Sequence, residues 1–218
     1  MTKLAGLFGV ARSLNSRHRL VVSTAIAGAV LCMGAVAFAA IVSGSSTTNI
    51  SAHVTYTQLT INKPTVSVGD VMVASIAVLD GSIGNVTAPT GWTQIARTDN
   101  DVDVALISFW KVAGASEPST YTWTIDEQTK AVGGITPYTG VNASNPIDAV
   151  SGNTGFGNTA TTSVITAGAA NDEVIALFAT DVSKTFSTPT GMTEKYDLSH
   201  TAAGPRFPQH IKTRHTVA

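Results

Sequence analysis

Cysteine is almost missing from this chain: of 218 residues only Cys32 carries a thiol, and it lies inside an apolar N-terminal run. Beyond it neither a disulfide nor a cysteine-based zinc site can form, so burial and hydrogen bonding alone must hold the fold. Charge is scarce too. Asp, Glu, Lys and Arg make up 12% of the residues, about half the usual share. No Asp or Glu precedes Asp70, and Lys3, Arg12, Arg17 and Arg19 all stand ahead of the first apolar run. With these four of the thirteen cations set aside, nine remain against fourteen acids, a balance of −5. A mildly acidic domain is a poor partner for nucleic acid, whose phosphates reward clustered Lys and Arg. Gly-rich phosphate loops, dinucleotide fingerprints and a Gly-x-Ser-x-Gly nucleophile elbow are all lacking.

What is present begins with an address. Residues 1–19 are cationic and residues 20–42 carry no charge. Leu20 to Met33 has the length of a signal-peptide apolar segment, and Ala37-Phe38-Ala39 offers the small residues that a signal peptidase requires. Residues 1–42 therefore read as an N-terminal apolar helix, either a cleaved signal peptide or, uncleaved, a membrane anchor through residues 20–42. Both leave the remainder secreted or at the cell surface. Leu31 ahead of Cys32 is too large for lipoprotein processing, so the thiol is filler in an apolar helix.

Thr, Ser, Gly and Asn fill the space that charge leaves, and with Val and Ile they favour strands and turns. Residues 43–57 read as a linker with room for a first strand. Residues 58–198 read as an all-β antiparallel β-sandwich, and residues 199–218 as an irregular basic tail, truncated, frame-shifted or disordered. Val71–Leu79 and Val174–Ala179 are apolar on both faces, which predicts central buried strands. Residues 102–112 alternate, and Thr120–Ile125 alternates most cleanly, with Tyr121, Trp123 and Ile125 on one face. Asp99-Asn100-Asp101 predicts a hairpin tip, and residues 151–162 a flexible polar loop. Pro89-Thr90-Gly91 and Pro189-Thr190-Gly191 predict tight turns.

An internal echo ties these pieces together. GDVMVASIAV, starting at Gly69, is followed by TAPTGWT; NDEVIALFAT, starting at Asn171, is followed by STPTGMT. Two such halves, each covering the apolar face of the other, would make one sandwich. If the tail supplies no final strand, a sheet edge is left open for pairing with another chain.

The segments GDVMVASIAV, TAPTGWTQIARTDN, WKVAGASEPSTYTWTI, AVGGITPYTGVNASNPIDA and STPTGMTEKYD together resemble a family of bacterial and phage-associated extracellular β-sandwich modules of uncharacterised function. The likeness runs from Gln58 to Asp197. It implies a jelly-roll-like module of secreted, surface or tail-associated proteins and brings no catalytic residues with it.

The chemistry weighed from the residues is thin. Asp99, Asp101 and Asp103 have the opening spacing of a calcium loop, although Val104 and Trp110 stand where Gly and Glu belong. They are the metal candidates, with Ca²⁺ as the one cofactor considered. Glu117, Asp126, Glu127 and Asp148 lie near turns, where acids serve solubility; Asp148 reads as a cap on backbone N–H groups. Trp92, Trp110 and Tyr121, together with Trp123 and Tyr138, could include a sugar-stacking platform, while Trp92 matches Met192 in the echo and so reads as core. The expectation is a noncatalytic surface module acting in adhesion, glycan binding or assembly, with a surface glycan or protein as partner. The alternatives are a phage or appendage subunit that self-associates at an open sheet edge, and a secreted hydrolase.

Overall fold

The computed structural model describes residues 40–51, 57–79, 85–101, 103–157, 159–161, 163–168, 172–182, 186–200 and 211–217. The leader with Cys32, Val102, His53 and His210 lie outside the described residues. Among the described residues there is no helix, and so none long and apolar enough to cross a membrane. The chain is all-β, and every strand pair is antiparallel.

Among the described residues twelve strands follow in order: β1 (Val42–Ser43), β2 (Thr47–Ile50), β3 (Gln58–Asn62), β4 (Val71–Leu79), β5 (Val86–Thr87), β6 (Thr93–Asn100), β7 (Val104–Val112), β8 (Thr120–Ile125), β9 (Ala131–Thr139), β10 (Ile175–Thr180), β11 (Thr193–His200) and β12 (Ile211–Val217). They form a central sheet β1-β9-β4-β7-β6 with β2 also on β9, and two three-stranded sheets, β10-β12-β11 and β3-β8-β5.

The central sheet is covered on both faces, which explains the solid apolar run of β4. Met72, Ala74, Ile76 and Val78 join Ile107 and Phe109 of β7 in one core with Leu59, Ile61, Tyr121, Trp123 and Ile125 of the β3-β8-β5 sheet. From the opposite face Val71, Val73, Ala77 and Leu79 enter two clusters shared with Ile175, Ala179, Leu198 and Val217 of the β10-β12-β11 sheet. All nine residues of β4 are buried. Strand β8 shows the one-sided alternation its sequence predicts, with Tyr121, Trp123 and Ile125 inside. Its outer face carries a Thr60–Thr122 hydroxyl pair 2.8 Å apart.

The echo is a structural repeat. In the first unit Val73 pairs with Trp110, which pairs with Thr93; in the second, Ile175 pairs with Val217, which pairs with Thr193. Further along, Ile76–Ile107–Arg97 is matched by Phe178–Arg214–Asp197. Each unit thus places its third strand between its first and second. Both second strands start from the same turn. Trp92 N–H donates to Pro89 O and Met192 N–H to Pro189 O, while Gly91 and Gly191 take φ of 86° and 82°. Such a turn demands a residue tolerant of positive φ at its third position, hence glycine. Each second strand also carries a bulge at the same place, between Gln94 and Ala96 and between Glu194 and Tyr196.

Within residues 43–57 the strand for which the sequence leaves room is β2, which pairs with β9 as β1 does from Val42, and Asn49 Nδ2 donates to Thr60 O of β3 at 2.6 Å. Two expectations need correction. The tail 199–218 is not irregular throughout. Residues 211–217 form β12, the middle strand of its sheet, because ladder bonds to neighbours on both sides can hold a strand of low apolar content. Finally, the apolar run Val174–Ala179 is not central. It becomes β10, an edge strand, half-buried at every position.

Strand β9 shows why a Gly-Gly pair stands in a buried strand. A Cβ at Gly133 would lie 2.7 Å from Ile76 Cδ1 and from Ser75 O; one at Gly134 would lie 2.6 Å from the Tyr196 ring. Close approach on both faces leaves room only for hydrogen there. Tyr196 uses this space to bring its hydroxyl to Ser75 Oγ at 2.6 Å and Gly134 O at 3.3 Å, joining the second unit to the first.

Candidate functional site

The two units face each other with β12 against β4 and β10 against β7, an exchange of roles that approximates a twofold relation. The relation fails in one place. Strand β9 closes the free edge of β4 and receives Tyr196 of β11 on its Gly134. The corresponding edge, that of β10, has no ladder partner besides β12 among the described residues. At the position that matches Tyr196 stands Ala96.

A cavity of about 780 Å³ occupies this place, within the range of small-ligand and peptide sites. Ile95, Ala96, Thr98, Leu106 and Ser108 of the central sheet form its floor. Both alternating sets of β10 residues line it, Ile175, Leu177 and Ala179 as well as Ala176, Phe178 and Thr180. It therefore runs along β10 as a slot and is not confined beneath one face. Phe178 packs on Phe186, with ring centroids 5.9 Å apart.

The outer wall is the segment between β9 and β10, expected to be a flexible polar loop. Ser151 Oγ donates to Ser163 O at 3.0 Å and Asn153 Nδ2 to Thr161 O at 3.1 Å, so the segment doubles back as a narrow arm. Asp148 accepts from Gly168 N–H at 2.5 Å and closes the arm's base, a backbone cap as its sequence setting suggested, though across twenty residues. Gly152 lies so close to β6 that a Cβ would come within 2.6 Å of Thr98 Oγ1. Phe156, between two glycines at the turn of the arm, is 81% exposed.

The slot has one electrostatic sign. Asp103, Asp148, Asp172, Glu173 and Asp181 line it, and no Lys, Arg or His does among the described residues. Burial raises the pKa of Glu173 above the ordinary 4.5, opposed by the charge of Lys195. Tyr138, nearly fully buried in the same wall, has its phenol pKa raised by burial and by the nearby Tyr196 and Glu173.

The residues singled out from sequence are dispersed. Asp99 is bonded to Arg97 Nε at 2.8 and 3.1 Å, Asp101 holds the hairpin tip at φ 49°, and Asp103 N–H donates to Asn100 O. Among the described residues no three His, Cys, Asp or Glu side chains come together as a metal site. Trp92 and Tyr121 are core residues, 8% and 2% exposed, with their rings 5.1 Å apart edge to face. Neither leaves a ring face free for a sugar; of the three ligand candidates only Trp110 is half-exposed. Glu117 is a structural acid. It accepts from Gly114 N–H, the Tyr121 hydroxyl and Lys111 Nζ at 2.6, 2.6 and 2.9 Å. Burial works to raise its pKa, but these bonds and the Lys111 charge outweigh it and hold the carboxyl below 4.5. The residues that do assemble, Ala96, Leu106, Leu177 and the scattered acids, carry no local motif; only the mismatch of Ala96 with Tyr196 in the echo marks the place.

No family model, no curated protein and no solved structure matches the chain.

Proposed function

We propose that the chain is an exported, noncatalytic β-sandwich module, jelly-roll-like, that acts at the cell surface by holding a ligand in the slot between β6, β7 and β10. The slot itself carries this reading: a largely apolar cavity of about 780 Å³ roofed by the 151–163 arm, with a rim of carboxylates. Its place along a sheet edge favours adhesion or assembly through a partner protein over sugar stacking, since Trp92 and Tyr121 are spent in the core. The leader supports export, which protease treatment of intact cells would test: the module should be degraded with the cells unbroken.

An environment-sensitive apolar dye tests the slot. Its emission should rise and shift to the blue with the wild-type protein and stay low with Leu106→Trp, whose indole fills the floor, at unchanged melting temperature. Equal emission from both proteins would contradict the reading. A subunit of a phage or surface appendage is the second reading, favoured by the position of β10 at the edge of its sheet among the described residues.

A further inference from the structure

We infer that the arm, residues 148–168, is a hinged lid over the slot: it lifts off β6 to admit the ligand and returns with Phe156 packed on it. This rests on the slot being the ligand site and adds how the ligand is admitted and held.

The way the arm is attached gives the first support. Every hydrogen bond made by its described residues stays within the arm. Ser151 Oγ reaches Ser163 O at 3.0 Å, Ser163 Oγ reaches Gly152 O at 3.4 Å, and Asn153 Nδ2 reaches Thr161 O at 3.1 Å. Lifting the arm from the sheet therefore breaks none of them. The bond from Gly168 N–H to Asp148 ties its two ends together, so it can turn about its base as one piece. All of its described residues are exposed, although Ser151, Gly152, Asn153 and Phe156 line the slot. Segments with few buried contacts are the ones that open most readily, and lids are drawn from them.

The seat on the sheet gives the second. At Gly152 a Cβ would lie 2.6 Å from Thr98 Oγ1 and 3.8 Å from Thr98 Cβ. Glycine lets the arm come down onto β6 at this point, and the contact it makes there is one of surfaces, without a hydrogen bond to hold it.

The inner side of the lid gives the third. Val150, Phe156 and Ile165 line the slot and yet are 49%, 81% and 40% exposed. Phe156 stands between Gly155 and Gly157, where an added Cβ would meet nothing within 4 Å, so the tip has room to turn. An apolar ligand resting on Ile95 and Leu106 would cover these three side chains from the other side, and removing that surface from water draws the lid down.

The test pins the seat. In a full-length Cys32→Ser background, Thr98→Cys with Gly152→Cys sets Cβ atoms 3.8 Å apart, a separation that suits a disulfide. Gly152 has no positive φ, so a side chain there brings no backbone strain. The apolar dye is mixed with the oxidised protein in a stopped-flow cell, and again after reduction of the same sample, which controls for folding. Oxidised protein should lose the rapid rise in emission, and reduction should restore it. Phe156→Ala should take up the dye as the wild type does and release it about tenfold faster, having lost one apolar ring contact. Equal entry before and after reduction, wild-type release from Phe156→Ala, or thiols that stay free under oxidant would each overturn the proposal. If the dye enters oxidised and reduced protein alike, the lid fails and the slot remains a ligand site; if it enters neither these nor the wild type, both fail.

Discussion

The two repeated units share strand order, turn, bulge and register, yet their first strands end in different surroundings. Strand β4 lies between two layers with β7 and β9 on its flanks and is buried throughout, whereas β10 has one ladder neighbour, β12, among the described residues and is half-exposed. Burial depth is therefore a property of what surrounds a strand, and an apolar run declares only that it can be buried. Among the described residues the half without a flanking strand is the half with the slot, so the asymmetry between the two repeated units is where function is best sought.

Substitutions at matched positions sharpen this contrast. Ile76 and Phe178 are equivalent by register, but only Ile76 is fully enclosed. Ile76→Ala should cost about 2–5 kcal/mol, as large-to-small core changes do, while Phe178→Ala should cost no more than about 2 kcal/mol, being partly exposed beforehand; urea denaturation measures both. Equal losses would erase the distinction.

The next effect concerns the contact made in one half and absent from the other. Gly134→Ala forces a methyl into the Tyr196 ring and should lose about 1–3 kcal/mol by overpacking. Tyr196→Leu in the same protein should recover part of this loss, whereas additive losses would show that the ring is not what Gly134 accommodates. Where the units agree, the substitutions should agree too. Gly91→Ala and Gly191→Ala each place a side chain at positive φ, at about 1–2 kcal/mol, and a thermal melt should rank them together.

The smallest effect depends on pH. His200 is buried with Nε2 2.8 Å from Ser51 O, and burial, opposed by that bond and helped by the Lys130 charge, lowers its pKa from 6.5. The unfolded chain then takes up the proton first, so stability present above pH 6.5 declines as the pH falls toward the folded-state value. Asn100 holds the matching position in the first unit and does not titrate. His200→Gln should flatten the decline in melting temperature between pH 7 and 5, and an unchanged slope would assign it to other groups.

Much of the fold is legible in the sequence where an apolar pattern coincides with local geometry. The two-faced run of β4, the alternation of β8, the Asp99–Asp101 hairpin and both Pro-Thr-Gly turns are of this kind, and the echo joins them. What is not legible depends on approach between distant segments. Nothing local in Ala131–Thr139 explains its glycine pair until Tyr196 and Ser75 are seen on either side. Strand β12 takes its place from the ladders of β10 and β11, not from a strong apolar pattern. The small β3-β8-β5 layer follows from no repeat. The slot was hidden for the same reason, since its acids come from separate stretches and its walls from β6, β7, β10 and the segment before β10.

Amide hydrogen exchange along β4 and β10 tests the central claim most directly. With neighbours on both sides, every amide of Val71–Leu79 should exchange slowly. In Ile175–Thr180 the alternate amides that face β12 should be slow and, Ala176 aside, those turned away from β12 fast. Uniform protection along β10, or rapid exchange at alternate positions of β4, would contradict the account.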